Sequence, residues 1–473
     1  MPATAVPGEI HELTAAEMSA AFSDRSLSPR EVAAALLARI ERLDGAINAF
    51  CFLDPDETLR QAAKSEARWT AGEPLSPLDG VPVAIKDILL TRGWSTRRGS
   101  RTIAAAGSWE VDAPAVARLR EAGAVFIGKT TTPEFGWKGV TDSPLTGVTR
   151  NPWDPGKTPG GSSGGSAAAL AARFAPLALG TDGGGSIRIP AHFTGTFGLK
   201  PSFGRVPAWP LSLFGTLAHV GPMARTVRDA ALLLDVIAKP DDRDWYALPY
   251  APTEYAADLD RPLRGKCVAF SPRLGWAEQV DPEVAALVAA AAHRFVELGA
   301  RVEEVDPPVG DPTETFRMLW WVGARAVTAH LSLEQRELLD PGLRAMAGEA
   351  ADITLDDQLA ATLARGDYGS RMRQFMARYD FLLTPSVAVP AFDAGRLSPL
   401  ADDGNAWLGW TPFSYPFNLT QQPAASVNCG FTASGLPVGL QIVGRMFDDA
   451  GVLSAAQAYE QSNPLYHRWP PGF

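Results

Sequence analysis

Apolar residues recur at three- and four-residue steps in five stretches of the chain, residues 29–43, 113–122, 226–238, 282–298 and 450–460. That spacing lays them along one face of an α-helix, so each stretch is predicted to be an amphipathic helix packed on a core. Between these lie short apolar runs at 81–85, 124–127, 267–270, 381–383, 425–427 and 438–442, which read as strands. A helix passing through Gly-Ala into a strand occurs at 117–127 and again at 293–305. This is the rhythm of an α/β fold with helices on both faces of a sheet. No internal repeat stands out, and no Pro/Gly/Ser-rich linker divides the chain. The stretch 239–265, rich in Asp, Pro and Tyr, is expected to be a surface excursion.

Two glycine-serine clusters, at 160–166 and 183–186, interrupt the periodic pattern. Such composition ordinarily marks a flexible linker. Here the first cluster follows Thr158-Pro159 and runs into the helix-forming series 167–172, behind a serine able to cap it. The second lies between the apolar run 175–179 and Ile187-Arg188-Ile189-Pro190. Both are thus set between buried segments, and the glycine run can bring backbone N–H groups close to an oxyanion.

Two motif matches fail on context. Residues 123–130 fit G-x-x-x-x-G-K-T, but Ala124, Val125, Phe126 and Ile127 form a strand where a phosphate loop would follow one. Residues 161–165 fit G-x-S-x-G, yet the proline-rich 151–159 before them cannot be the central strand that a nucleophile elbow requires. The base for a serine nucleophile is then better sought in a lysine, which serves when it is neutral. Lys86 is flanked by 81–85 and by Ile88, Leu89 and Leu90, the composition of a buried strand. Burial would bring its pKa down from the ordinary value of about 10.4. Taken alone, a lysine in this position is more often exposed or paired with its neighbour Asp87.

Three segments together resemble the amidase signature family of serine hydrolases: GVPVAIKD at 80–87, GGSSGG at 160–165 and GTDGGGSIRIP at 180–190. The likeness continues in GKTTTPEF at 128–135, GLKPS at 198–202, LTP at 383–385 and GLPVGLQIVG at 435–444, so it spans essentially the whole chain. It implies an α/β fold with a mixed sheet of about eleven strands, in a single amidase domain over 1–473 whose signature core occupies roughly 60–240. It implies Ser186 as nucleophile, Ser162 as the bridging serine, usually at a cis peptide, and Lys86 as general base. Ser162 Oγ is then expected to accept from Ser186 while donating to neutral Lys86. The oxyanion hole falls to the N–H groups of Gly183, Gly184, Gly185 and Ser186, where one donor is typically worth about 3 kcal/mol. Glycine at 183 departs from many relatives, which carry another small or a larger apolar residue there. Ser163, Thr181, Asp182 and Arg188 are assigned to hold the loop, with Asp182 and Arg188 as a pair.

The chain has 473 residues, 46% of them hydrophobic, ample for a large core. Its net charge of −10 gives nucleic acid no electrostatic footprint, and neutral substrates fit better. Cys51, Cys267 and Cys429 are odd in number and far apart, which argues for a reducing compartment and small core fillers rather than disulfides. The six histidines occur singly, so neither a metal nor a cofactor is expected. The N-terminal residues have no signal-peptide character, and no apolar run approaches the roughly 18 residues of a membrane span. A cytoplasmic monomer or homodimer without membrane contact is expected.

Aromatic residues cluster outside the signature, and Trp320, Trp321, Trp407, Trp410, Phe413 and Tyr415 are expected to line a wide apolar pocket. The leading expectation is a hydrolase of neutral hydrophobic or aromatic small-molecule amides, anilides, carbamates (urethanes) or esters, working through an acyl-enzyme. The glutaminase-type component of a tRNA-dependent amidotransferase is discounted, because 405–417 lacks the acidic residue expected there. A non-catalytic scaffold is opposed by the intact Lys86, Ser162 and Ser186.

Overall fold

The structure, a computed structural model, describes residues 9–250, 252–399 and 407–473. Residues 1–8, residue 251 of the 239–265 excursion and the first two residues of the 405–417 stretch lie outside it. The strands of the first half are β1 (Phe50–Phe52), β2 (Pro82–Lys86), β3 (Val125–Thr130), β4 (Asp142–Ser143), β5 (Gly147–Val148), β6 (Leu177–Asp182), β7 (Phe197–Lys200) and β8 (His219–Ala224). Those of the second are β9 (Cys267–Phe270), β10 (Arg301–Glu304), β11 (Phe381–Pro385), β12 (Ala424–Phe431) and β13 (Pro437–Gly444). All except the β4–β5 hairpin join one eleven-stranded sheet in the order β1-β3-β2-β6-β8-β7-β12-β13-β11-β9-β10. β2 runs parallel to β3 and β6, and β9 runs parallel to β10 and β11. The other neighbours are antiparallel, so the sheet is mixed, as expected.

Successive side chains of a strand point to opposite faces, and in the second half of the sheet they enter two different cores. Phe381 and Leu383 of β11, with Leu440 and Ile442 of β13, join a core with helices Val227–Ile237, Pro282–Glu297 and Asp449–Ser462. Leu382 and Val443 join another with helices Thr313–Thr328, Pro341–Glu349 and Leu355–Met376. Helices therefore cover both faces. The predicted helices at 29–43, 113–122, 226–238, 282–298 and 450–460 appear as Pro29–Leu43, Pro114–Glu121, Val227–Ile237, Pro282–Glu297 and Asp449–Ser462. Ser28 opens the first with a capping box to Glu31, ahead of a proline in the first turn.

Residues 125–130 form β3, as their rejection as a phosphate loop requires, and Lys129 is buried against Asp87 Oδ1 at 3.2 Å. The excursion 239–265 carries no helix or strand among its described residues and is anchored to the core by Tyr255, Leu259 and Leu263. Cys429 is buried, whereas Cys51 and Cys267 are only half-buried; all three are free. No helix among the described residues is long and apolar enough to cross a membrane.

Candidate active site

β2 and β6 are parallel neighbours, with Ile85 opposite Leu179, so their carboxyl ends open side by side. Ligand sites in α/β sheets favour such strand ends. Lys86 closes β2 and is fully buried; Thr181 and Asp182 close β6. Lys86 Nζ lies 2.7 Å from Ser162 Oγ, 2.9 Å from Ser163 Oγ and 2.8 Å from Thr181 Oγ1. Ser163 Oγ donates to the Thr181 carbonyl and accepts the Thr181 N–H, both at 3.2 Å. Its one proton is thus committed, so toward Lys86 it can only accept. A neutral amine donates twice and accepts once, which leaves its lone pair for the hydroxyl of Ser162 or Thr181. Burial holds the Lys86 pKa well below the ordinary lysine value, against the opposing charge of Asp182.

The Gly161–Ser162 peptide is cis. Helix Gly164–Ala171 follows, and Ser163 stands at its N-cap without capping it, because its hydroxyl is turned to Lys86 and Thr181. Ser186 is almost buried, and its carbonyl accepts the Ser163 N–H at 3.1 Å. The expected hydrogen bond from Ser186 to Ser162 is not formed: none joins the two hydroxyls. In enzymes free of substrate, catalytic hydrogen bonds are often long and tighten only when substrate binds.

The loop between β6 and helix Arg188–Thr194 is built on a buried ion pair. Arg188 Nη2 and Nε donate to the two carboxylate oxygens of Asp182 at 2.9 and 3.0 Å. The guanidinium also reaches Ser414 O, Gln441 Oε1 and Asn418 Oδ1 at 2.9, 2.7 and 2.7 Å. Burial alone would raise the Asp182 carboxyl, but the charge and hydrogen bonds of Arg188 carry it well below the usual carboxylate range. The carboxylate also accepts the N–H groups of Gly185 at 2.8 Å and Ile187 at 3.2 Å. Gly185, expected to donate to an oxyanion, is therefore turned inward. The N–H groups of Gly183, Gly184 and Ser186 have no acceptor among the described residues. Gly185 has φ +122°, and a Cβ there would stand 2.5 Å from Ser414 Cβ, so only glycine fits.

A cavity of about 150 Å³ opens over Ser162, Thr181, Gly183 and Ser186. Of the six aromatic residues expected to line it, Trp320 alone does. The other five pack elsewhere, held by ring contacts and, for three of them, by hydrogen bonds within the fold; Trp407 Nε1 is buried without a partner among the described residues. Trp321 Nε1 donates to Glu349, Trp410 Nε1 to the Leu397 carbonyl, and the Tyr415 hydroxyl meets Thr313 Oγ1 at 2.7 Å. Trp407 sits edge-on to Phe316 and Trp320, and Phe413 is buried in the same core. A Cβ at Gly184 would lie 2.8 Å from both Phe316 and Trp407, so these rings back the glycine loop. The cavity wall comes instead from 206–215, including Trp209, Leu211, Leu213 and Phe214, together with Ile88 and Leu89. The sequence signal for that wall is an apolar stretch with two prolines and no helical or strand period.

Also unforeseen are His219, which lines the cavity, and the buried Lys200 behind it, with its Nζ 3.4 Å from His219 Nε2. Burial first, and then the neighbouring positive charge, holds each well below its ordinary pKa.

The family model described as Amidase matches residues 31–453. An acylamidase of Rhodococcus erythropolis is 40% identical over 98% of both chains. The A chain of the glutamyl-tRNA(Gln) amidotransferase of Myxococcus xanthus is 39% identical, covering 98% of this chain and all of the relative. The solved structure of a bacterial aryl acylamidase of the amidase signature enzymes superposes with a TM-score of 0.92 at 33% identity, over 98% of this chain and 99% of that one. With a lysine and serines gathered at paired strand ends and relatives matched along the whole length, the chain belongs to the amidase family, among the amidase signature enzymes, and is an amide-hydrolysing enzyme.

Proposed function

We propose that Ser186 is the nucleophile, Ser162 the proton carrier and Lys86 the base of a stand-alone amidase acting on amides and anilides with apolar or aromatic bodies, with carbamates and esters as further substrates. The observation that carries this reading is the buried Lys86, held against Ser162 at the floor of the cavity that also exposes Ser186. Ser186 Oγ attacks the carbonyl carbon while its proton passes through Ser162 to the lone pair of Lys86. The N–H groups of Gly183, Gly184 and Ser186 receive the oxyanion. Collapse returns the proton to the departing nitrogen, the C–N bond breaks, and water then hydrolyses the Ser186 ester by the same relay.

A second reading, the glutaminase half of a tRNA-dependent amidotransferase, is favoured by the 39% identity to the Myxococcus xanthus chain. It needs a carboxylate for the ammonium group of glutamine. In the cavity Asp244 already accepts the N–H groups of Ala208 and Tyr246, at 2.8 and 2.9 Å.

Purified protein assayed on an anilide, a long-chain primary amide, an aryl carbamate and glutamine separates the two. The amidase reading requires turnover of the anilide, amide or carbamate, and a loss of about 10⁴-fold or more in Ser186→Ala. Turnover of glutamine alone would sink it, and turnover surviving in Ser186→Ala would remove Ser186 as nucleophile.

A further inference from the structure

The cavity over Ser162 and Ser186 is walled mainly by apolar side chains, and among its described lining residues Arg98 is the one formal cation. A guanidinium in such a wall ordinarily meets a carboxylate or carbonyl oxygen, because an unpaired charge out of water is costly. Arg98 meets neither. Among the described residues its side chain has no hydrogen bond, ion pair or ring contact. Asp87, the nearest charge to act on it, is occupied by Lys129 Nζ at 3.2 Å.

The backbone gives a second sign. Arg98 has φ 54°, a left-handed conformation that costs a bulky L-residue about 1 kcal/mol or more and that glycine takes freely. Its carbonyl accepts the N–H of Phe135, another lining residue, at 2.8 Å. The fold thus keeps an arginine with unspent donors on the cavity wall at a position where backbone preference opposes it. The one carboxylate among the described lining residues, Asp244, makes no hydrogen bond or ion pair with Arg98; its two oxygens accept the N–H groups of Ala208 and Tyr246.

We propose that Arg98 is a specificity-determining residue that receives an anionic oxygen group of the substrate, so that the enzyme prefers amides whose apolar or aromatic body carries one carboxylate. This rests on the amide-hydrolase reading of the same cavity and narrows its substrate class. The guanidinium fork matches the two oxygens of a carboxylate, and a charge-assisted pair gains strength where water is scarce. The substrate supplies the contacting anionic partner that Arg98 lacks.

The test compares kcat/KM within two pairs: 4-acetamidobenzoate against 4-methylacetanilide, and succinanilic acid against butyranilide. The wild type is expected to prefer the carboxylate member of at least one pair, and in Arg98→Leu that preference falls by about ten- to a hundredfold. Arg98→Lys recovers part of it and guards against a folding defect in the leucine variant. Ratios equal in wild type and Arg98→Leu, or a wild-type preference for the neutral member in both pairs, overturn the proposal. Calorimetric titration of Ser186→Ala with 4-aminobenzoate and with 4-toluidine needs no turnover. Binding of the carboxylate that disappears when Arg98→Leu is added supports the site even where no anilide is cleaved, a result that would count against the amidase reading alone. Turnover of the neutral anilides without any Arg98-dependent discrimination does the reverse.

Discussion

The burial that lowers the Lys86 pKa ties the proposed role of this amine to stability. In the unfolded chain the amine binds a proton at any pH below about 10.4. In the folded protein burial lowers that pKa well below the ordinary value. Between the two values the unfolded state carries more protons, so stability at this site rises with pH across the interval and is lost as pH falls through the folded pKa. Lys86→Met should abolish amide turnover. The difference in Tm between wild type and Lys86→Met should move in favour of the wild type by a few degrees as pH is raised from 7 to 10. A difference that stays flat would mean that the buried amine is protonated in the folded state. Lys86 can be singled out in the sequence because it stands in an apolar strand and within a segment that resembles the amidase signature, whereas taken alone it would read as an exposed or Asp87-paired lysine. The inward turn of the Gly185 N–H cannot be, since Asp182 competes for it only once Arg188 has fixed the carboxylate in place.

The five helices read from an apolar stripe lie within a few residues of their predicted bounds, whereas Thr313–Thr328, whose buried stripe carries Phe316, Trp320 and Trp321, reads in the sequence as pocket wall and not as a helix. Helix Leu355–Met376 escapes the pattern because Leu355, Leu359 and Leu363 are exposed, which spreads its apolar positions around the axis. The site wall misleads in the opposite direction. Aromatic density at 313–330 and 407–417 marks, Trp320 excepted, the packing behind the glycine loop rather than the pocket, and pattern alone does not separate the two. The segment that does line the cavity holds Leu211 and Leu213 at 53% and 47% exposure, enough free apolar surface to be covered by a substrate. Covering about 40 Å² at roughly 25 cal/mol per Å² is worth about 1 kcal/mol. Leu211→Ser and Leu213→Ser should each raise KM for an aromatic anilide about threefold to tenfold, with a smaller effect on kcat and a shift in Tm within about 2 °C. Steady-state kinetics beside thermal melts would check this, and an unchanged KM in both variants would place the substrate against another wall.

At the scale of the whole molecule, local pattern foretells a layered sheet with helices on both faces and the family resemblance its mixed character and strand number, but the strand order is a long-range fact. β7 and β12 pair across more than two hundred residues of chain, and the joint sets Arg188 beside Gln441 of the adjoining β13. The C-terminal helix Asp449–Ser462 makes a comparable long-range tie: both Glu460 carboxylate oxygens accept the first N–H of helix Val227–Ile237, at 3.1 and 3.2 Å. Burial pushes the Glu460 carboxyl up to about 8, with Asp229 adding to the rise and the Val227 hydrogen bond opposing it. The ordinary value is about 4.3, so between that pH and 8 the folded protein holds a proton that the unfolded chain releases. Stability from this site is complete below the lower value and declines as pH rises to 8, the reverse of the slope at Lys86. Glu460→Gln keeps an oxygen for Val227 and cannot ionise. It should match the wild type at pH 5 and exceed it at pH 9 by an amount on the order of a few kcal/mol, read from denaturant unfolding at both pH values. Because Lys86 and Glu460 share no hydrogen-bond or charge partner, the effects of Lys86→Met and Glu460→Gln should add in the double variant. An equal gain of Glu460→Gln at pH 5 and pH 9 would show instead that the C-terminal tie is held by packing, with the carboxyl titrating normally.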